Sequence, residues 1–167
     1  IIKVVGVGGG GCNAVNQMFR DGINDVEFLV CNTDSQSLID SPIIEKLQLG
    51  EGLGAGCDPE EGRRLAVEKV DEIKKRLSDG TKMLFITAGM GGGTGTGAAP
   101  VIAKISKEMG ILTIAVVTQP FRDEGTEFLR RAYEGIQELS KNVDSLLIID
   151  NQKIYDIYGD LDIWDAF

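Results

Sequence analysis

Two glycine clusters hold the residues whose types and spacing most clearly imply chemistry. In GVGGGGCN, Gly6 to Asn13, the glycines Gly6, Gly8 and Gly11 fit G-x-G-x-x-G, the spacing that lets a strand-to-helix turn approach a phosphate. A longer cluster lies in ITAGMGGGTGTGAAP, Ile86 to Pro100. If each cluster opens a helix, the free N–H groups and dipoles of both helices converge on one oligophosphate. Bare glycine is needed because a side chain would hold the phosphates off the amides. Thr94 and Thr96 add hydroxyls that can serve the same anion or a hydrated Mg2+. Neither cluster contains G-K-[ST], so no P-loop lysine is available. Asn32 and Asp34 fall at a strand end, where Asp34 suits either the ribose-binding acid of a dinucleotide fold or a simple turn. The competing explanation for the glycines themselves is close packing.

Other chemistries drop out by composition. The chain has no histidine, which removes Ser-His-Asp and Cys-His catalysis and histidine-ligated metals. A formal charge of −9, with scattered Lys and Arg, argues against nucleic acid as the partner. Cys12, Cys31 and Cys57 form no C-x-x-C pair and read as reduced, buried thiols of a cytoplasmic protein. No apolar run reaches membrane-spanning length, and no leader pattern precedes Ile1, so a soluble protein is expected.

The elements that must position the clusters alternate along the 167 residues. Apolar, β-rich runs predict strands over Ile2 to Val7, Val26 to Cys31, Lys46 to Leu49, Met83 to Thr87, Leu112 to Thr118 and Ser145 to Ile149. Most are continuously apolar, as in strands covered on both faces. Helical spacing links Ala66, Val70, Ile73 and Leu77 in one helix, started by Asp58 as N-cap, Pro59, and Glu61 as capping-box partner. Ala98, Ile102, Ile105 and Met109 mark a second helix, and Leu129, Ala132, Ile136 and Leu139 a third. Asp58, Glu60 and Glu61 read as helix-start electrostatics. Strand-helix alternation predicts one α/β domain with a mostly parallel sheet, helices on both faces, and ligands at the strands' carboxyl ends.

The motifs also resemble a known family. GGGTGTG, Gly91 to Gly97, is similar to the tubulin and FtsZ signature loop, and GVGGGGCNAVN, CNTDSQSL, GLGAGCDPEEG, VVTQPFRDEG and VDSLLIIDNQKIYDIYGDL resemble successive FtsZ segments in order. The resemblance spans essentially the whole chain. It implies a Rossmann-like tubulin/FtsZ fold, with residues 1–167 as the GTP-binding domain of a cell-division GTPase that polymerises into the midcell ring. GTP or GDP with Mg2+ would be the ligand. Phosphates would be held by Gly9, Gly10, Gly11, Cys12 and Asn13 and by Gly91, Gly92, Gly93, Thr94, Gly95, Thr96 and Gly97. Asn32 and Asp34 would lie in the second loop, and Gly54, Ala55 and Gly56 would face the γ-phosphate. Glu124 would bond the ribose, Asn151 would approach the sugar or base, and Phe167 would stack on guanine. Packing or capping explanations stand beside these roles for Glu124, which can cap the following helix, and for Phe167.

The resemblance further implies head-to-tail self-assembly, with division partners and an indirect membrane tether carried by a C-terminal tail outside this chain. Water activation would come from an acidic loop of the next subunit, so this chain would hold no catalytic residue or direct metal ligand, and alone would bind nucleotide without appreciable turnover. Three departures stand out. Phe128 occupies the place of an arginine four residues after Glu124, with Arg131 one turn farther on. The QLGEGLGAG loop is short, and the chain stops at Phe167, within the expected central helix. A non-hydrolysing tubulin-like scaffold, and more remotely an NAD-dependent oxidoreductase, are the alternatives.

Overall fold

The computed structural model describes residues 1–158. Six strands, β1 (Ile2–Val7), β2 (Val26–Asn32), β3 (Glu45–Gln48), β4 (Met83–Gly89), β5 (Leu112–Gln119) and β6 (Ser145–Asp150), form one sheet. Their order is β3-β2-β1-β4-β5-β6 and every pairing is parallel. Each strand sits within two residues of its expected bounds, because apolar runs flanked by turn residues mark strands well. Strand order reverses between β1 and β4, which run in register from Ile2 opposite Met83 to Val7 opposite Ala88.

Alternation along the strands divides the core. On one face Val4 and Val30 pack with Cys12 and Val15 of α1 (Gly8–Arg20) and Leu38 of α2 (Ser35–Asp40). On the other, Val5, Val7, Leu84, Ile86 and Ala88 pack against α3 (Pro59–Glu68), α4 (Val70–Leu77), α5 (Thr94–Glu108) and α6 (Thr126–Ser140). The last helix, α7, spans Asn151–Tyr158.

Several expectations need correction. The helix expected through Ala66 and Leu77 is two helices: Lys69 leaves helical geometry at φ −104 and ψ 15, donating to Ala66 O at 3.1 Å before α4 restarts. Asp58 does cap α3, accepting from Glu60 N at 3.0 Å, but Glu61 forms no capping box. Its carboxylate pairs with Arg64 instead, at 2.8 and 2.7 Å. Cys12 and Cys31 are buried and free, whereas Cys57 is exposed, because it follows the loop glycines outside any apolar pattern. Nor is every strand covered on both faces: Leu147 and Ile148 of β6 are 58% and 44% exposed.

Candidate functional site

The strand reversal brings the two glycine clusters together. β1 and β4 are neighbours, so α1 and α5 begin side by side at their carboxyl ends. Gly8 has φ +72, and a Cβ there would stand 2.9 Å from Gly95 N; the clusters therefore join backbone to backbone. Gly11 lies so close to Thr87 O, and Gly97 to Pro59 O, that a side chain at either would overlap the neighbouring carbonyl. Gly9 and Gly92 have nothing within 4 Å of the Cβ position. Glycine thus serves two needs here, close packing behind the loops and open amides in front.

In front lies a cleft of about 430 Å3. Its lining gathers Gly9, Gly10, Asn32, Asp34, Gly54, Ala55, Gly92, Gly93, Thr94, Gly95, Glu124 and Asn151 from segments scattered through the sequence. Gly11, Cys12, Asn13, Gly56, Gly91, Thr96 and Gly97 fall outside the lining. Cys12 points into the core, its Sγ 3.6 Å from Gly6 O and Cys31 O, and burial pushes its thiol up to about 12. Phe167 lies outside the described residues.

Helix starts give the cleft its electrostatic character. Asp34 caps α2 and Asp58 caps α3, while α4 and α6 carry acids in their first turns. Of α1 to α6, only α1 and α5 have neither a capping side chain nor a first-turn acid. Their leading N–H groups and positive dipole ends are left for an external acceptor.

Side chains around the cleft are largely tied to the protein. Asn32 Oδ1 accepts from Thr33 N at 2.8 Å, and the Asp34 carboxylate accepts from Ser37 Oγ at 2.7 Å and Gln36 N at 3.0 Å. Ser37, then Gln36, holds Asp34 below its usual pKa. Glu124 accepts from Phe121 N at 2.9 Å rather than capping α6, whose N-cap is Gly125. Thr94 and Thr33 hydroxyls lie 2.5 Å apart, and Thr96 Oγ1 accepts from Gly91 N at 2.8 Å, so Thr96 holds its own loop. Among the described residues, Asn151 Oδ1 is the buried side-chain atom left without a hydrogen-bond partner.

The lining also includes residues that the sequence did not single out. Thr33 sits between two that it did, and Cys57 directly follows Gly56. Thr118, at the carboxyl end of β5, was findable from the strand-end rule alone. Phe128, marked only as a departure, lines the cleft from α6.

Comparison with known proteins gives a consistent result. Residues 1–159 match the Tubulin/FtsZ family, GTPase domain. The cell division protein FtsZ of Porphyromonas gingivalis is 52% identical over 172 residues, covering 100% of this chain and 38% of that protein. The empty FtsZ dimer of M. jannaschii superposes with a TM-score of 0.93 at 43% identity, covering 99% of this chain and 49% of its own. The GTPgS-bound CetZ2 protofilament protein of Haloferax volcanii gives 0.85 at 25% identity, covering 99% and 53%. The chain therefore spans about half, or less, of the length of these relatives.

Proposed function

The chain belongs to the Tubulin/FtsZ family, and from that premise we propose that it is the guanine-nucleotide-binding part of a polymerising cell-division GTPase. The observation that carries this reading is the pair of uncapped helices, α1 and α5, opening side by side onto one glycine-walled cleft. Phosphates there would take up the free amides of Gly9, Gly10 and Gly92 to Gly95, as helix N-termini favour anions. Asn151 Oδ1, unpartnered at the start of α7, offers an acceptor for a sugar hydroxyl or a base N–H. Relatives support the same ligand and assembly: one solved neighbour is a GTPgS-bound protofilament and another an FtsZ dimer.

Mg2+ fits this reading as an ion carried on the phosphates. Among the described residues no group of three or more Asp, Glu or Cys gathers to cage a metal. The ion would neutralise developing phosphate charge; the chain's own residues would bind and orient the phosphates.

Water activation is a different matter. Both carboxylates of the cleft accept hydrogen bonds from their own segments, and Asp34 is held ionised below its usual pKa, which makes it a weak base. We therefore assign water activation to a neighbouring subunit, with this chain alone binding nucleotide and turning it over negligibly. The proposed cellular setting is the cytoplasmic division site; among the described residues no helix is long and apolar enough to cross a membrane.

Calorimetric titration of the 167-residue chain with GDP and GTP, against ATP and NAD, tests the binding claim. Guanine-selective binding is expected, and preference for NAD would return the chain to the oxidoreductase class. Turnover that survives repurification of the isolated chain would defeat the assignment of water activation to a neighbour.

A further inference from the structure

One stripe of α6 faces the second glycine loop. Phe128, Arg131 and Gly135 lie at i, i+3 and i+7, so all three share one side of the helix. A Cβ on Gly91 would overlap the Phe128 ring, and one on Gly135 would overlap Thr96 Cγ2 and stand 2.8 Å from Met90 Cε. Between them Arg131 Nη1 donates to Cys57 O at 2.8 Å, tying the same stripe to the segment before α3.

The loop that this stripe meets has little regular structure of its own. Gly91 has φ +113, a conformation open to glycine and strained for other residues. Its N–H is pinned on Thr96 Oγ1 at 2.8 Å, and Met90 N donates to Thr118 O at 3.0 Å. These bonds fix the loop's two ends, while the Phe128 ring covers the glycine between them. Phe128 carries no charge to pair with an anion in the cleft, and its contact with Gly91 gives it a route through loop geometry.

We propose that Phe128 is a positioning residue: its ring, pressed on Gly91, holds the Thr96-pinned turn closed so that the amides of Gly92 to Gly95 face the cleft. This rests on the reading of the cleft as a phosphate site. The loop-closing part, however, is measurable without any ligand.

The test compares wild type with Phe128→Ala, Phe128→Leu and Phe128→Tyr. Amide hydrogen exchange across residues 89–97 is measured on nucleotide-free chain, and affinities for GDP and guanosine are measured alongside. Loss of the ring should speed exchange of the hydrogen-bonded loop amides of Met90, Gly91 and Gly97 about tenfold, as for an easier local opening, and Phe128→Tyr should restore it. GDP affinity should fall about tenfold with guanosine affinity unchanged, and that loss should not vary with ionic strength. Exchange at the wild-type rate in Phe128→Ala overturns the proposal. If that variant does not fold, wild-type exchange in Phe128→Leu, which lacks the flat ring, does the same. Equal losses of GDP and guanosine also overturn it, since they would make Phe128 a wall for the nucleoside. Faster exchange in a chain whose wild type binds neither ligand leaves loop closing established and removes the phosphate reading alone.

Discussion

The two glycine loops look alike in sequence and are built differently. The first, at the start of α1, rests on backbone: Gly11 lies over Thr87 O and Gly8 against Gly95 N. The second, before α5, is held by side chains as well, with Thr96 on the Gly91 amide, Phe128 over Gly91, and α3 pressed against Gly93 and Gly97. A loop supported by the sheet can be short. One reaching across to α3 and α6 needs glycine where those elements crowd it, which accounts for Gly91, Gly93 and Gly97.

Substitutions behind and in front of the loops should separate these roles. The largest effect is expected for Gly97→Ala, whose methyl would collide with Pro59 O and approach Arg63 N at 2.7 Å. Two helices would have to part, costing about 3 kcal/mol or more in thermal unfolding, with binding lost as a consequence. A wild-type melting temperature would remove α3 from the account of the second loop. Next, Thr96→Val leaves the Gly91 N–H without its acceptor and should cost about 1–2 kcal/mol while weakening GDP binding.

Gly9, at the front of the first loop, should respond in the opposite sense. Gly9 lines the cleft with helical backbone and open space around its Cβ position. Gly9→Ala should therefore leave stability unchanged, or raise it by about 0.5 kcal/mol, while lowering GDP affinity by about tenfold. Stability and binding falling together would show that Gly9, too, is limited by packing.

The smallest effect concerns acid. Asp34 caps α2 beside the first loop, and its folded pKa lies below its ordinary value, first because of Ser37. A depressed folded pKa gives stability that is present above the unfolded pKa and is lost as pH falls through the folded one. Below about pH 4 the Asp34 cap should loosen, whereas the second loop, held by hydroxyls and packing, should not. Amide protection in residues 34–40 and 89–97 followed from pH 5 to pH 2 reads this out. Asp34→Asn, which still offers a capping oxygen, should flatten the change in the first segment only.

How much of this was legible in the sequence depends on whether the cause was local. Strands announced themselves through apolar runs, and Asp58 as a cap through its place before Pro59. The break at Lys69 was hidden, because Ala66, Val70, Ile73 and Leu77 keep helical spacing across it and tertiary packing decides where such a helix divides. Gly9 and Gly97 could not be told apart either, since what surrounds a glycine is set by residues distant in the chain. Lys3 is a further case. Within an apolar strand it is buried, with its ammonium donating to Arg76 O at 2.7 Å and paired with Asp79, and nothing adjacent in sequence announces that partner.

The central claim is that nucleotide phosphates are held by the amides of two uncapped helix starts. Amide NMR spectra of the isotope-labelled chain, recorded as GDP is added to saturation, test it directly. The account predicts the largest shifts at Gly9, Gly10, Gly92, Gly93, Thr94 and Gly95, the loop residues that line the cleft. Saturable GDP binding that leaves those six amides unmoved would contradict it.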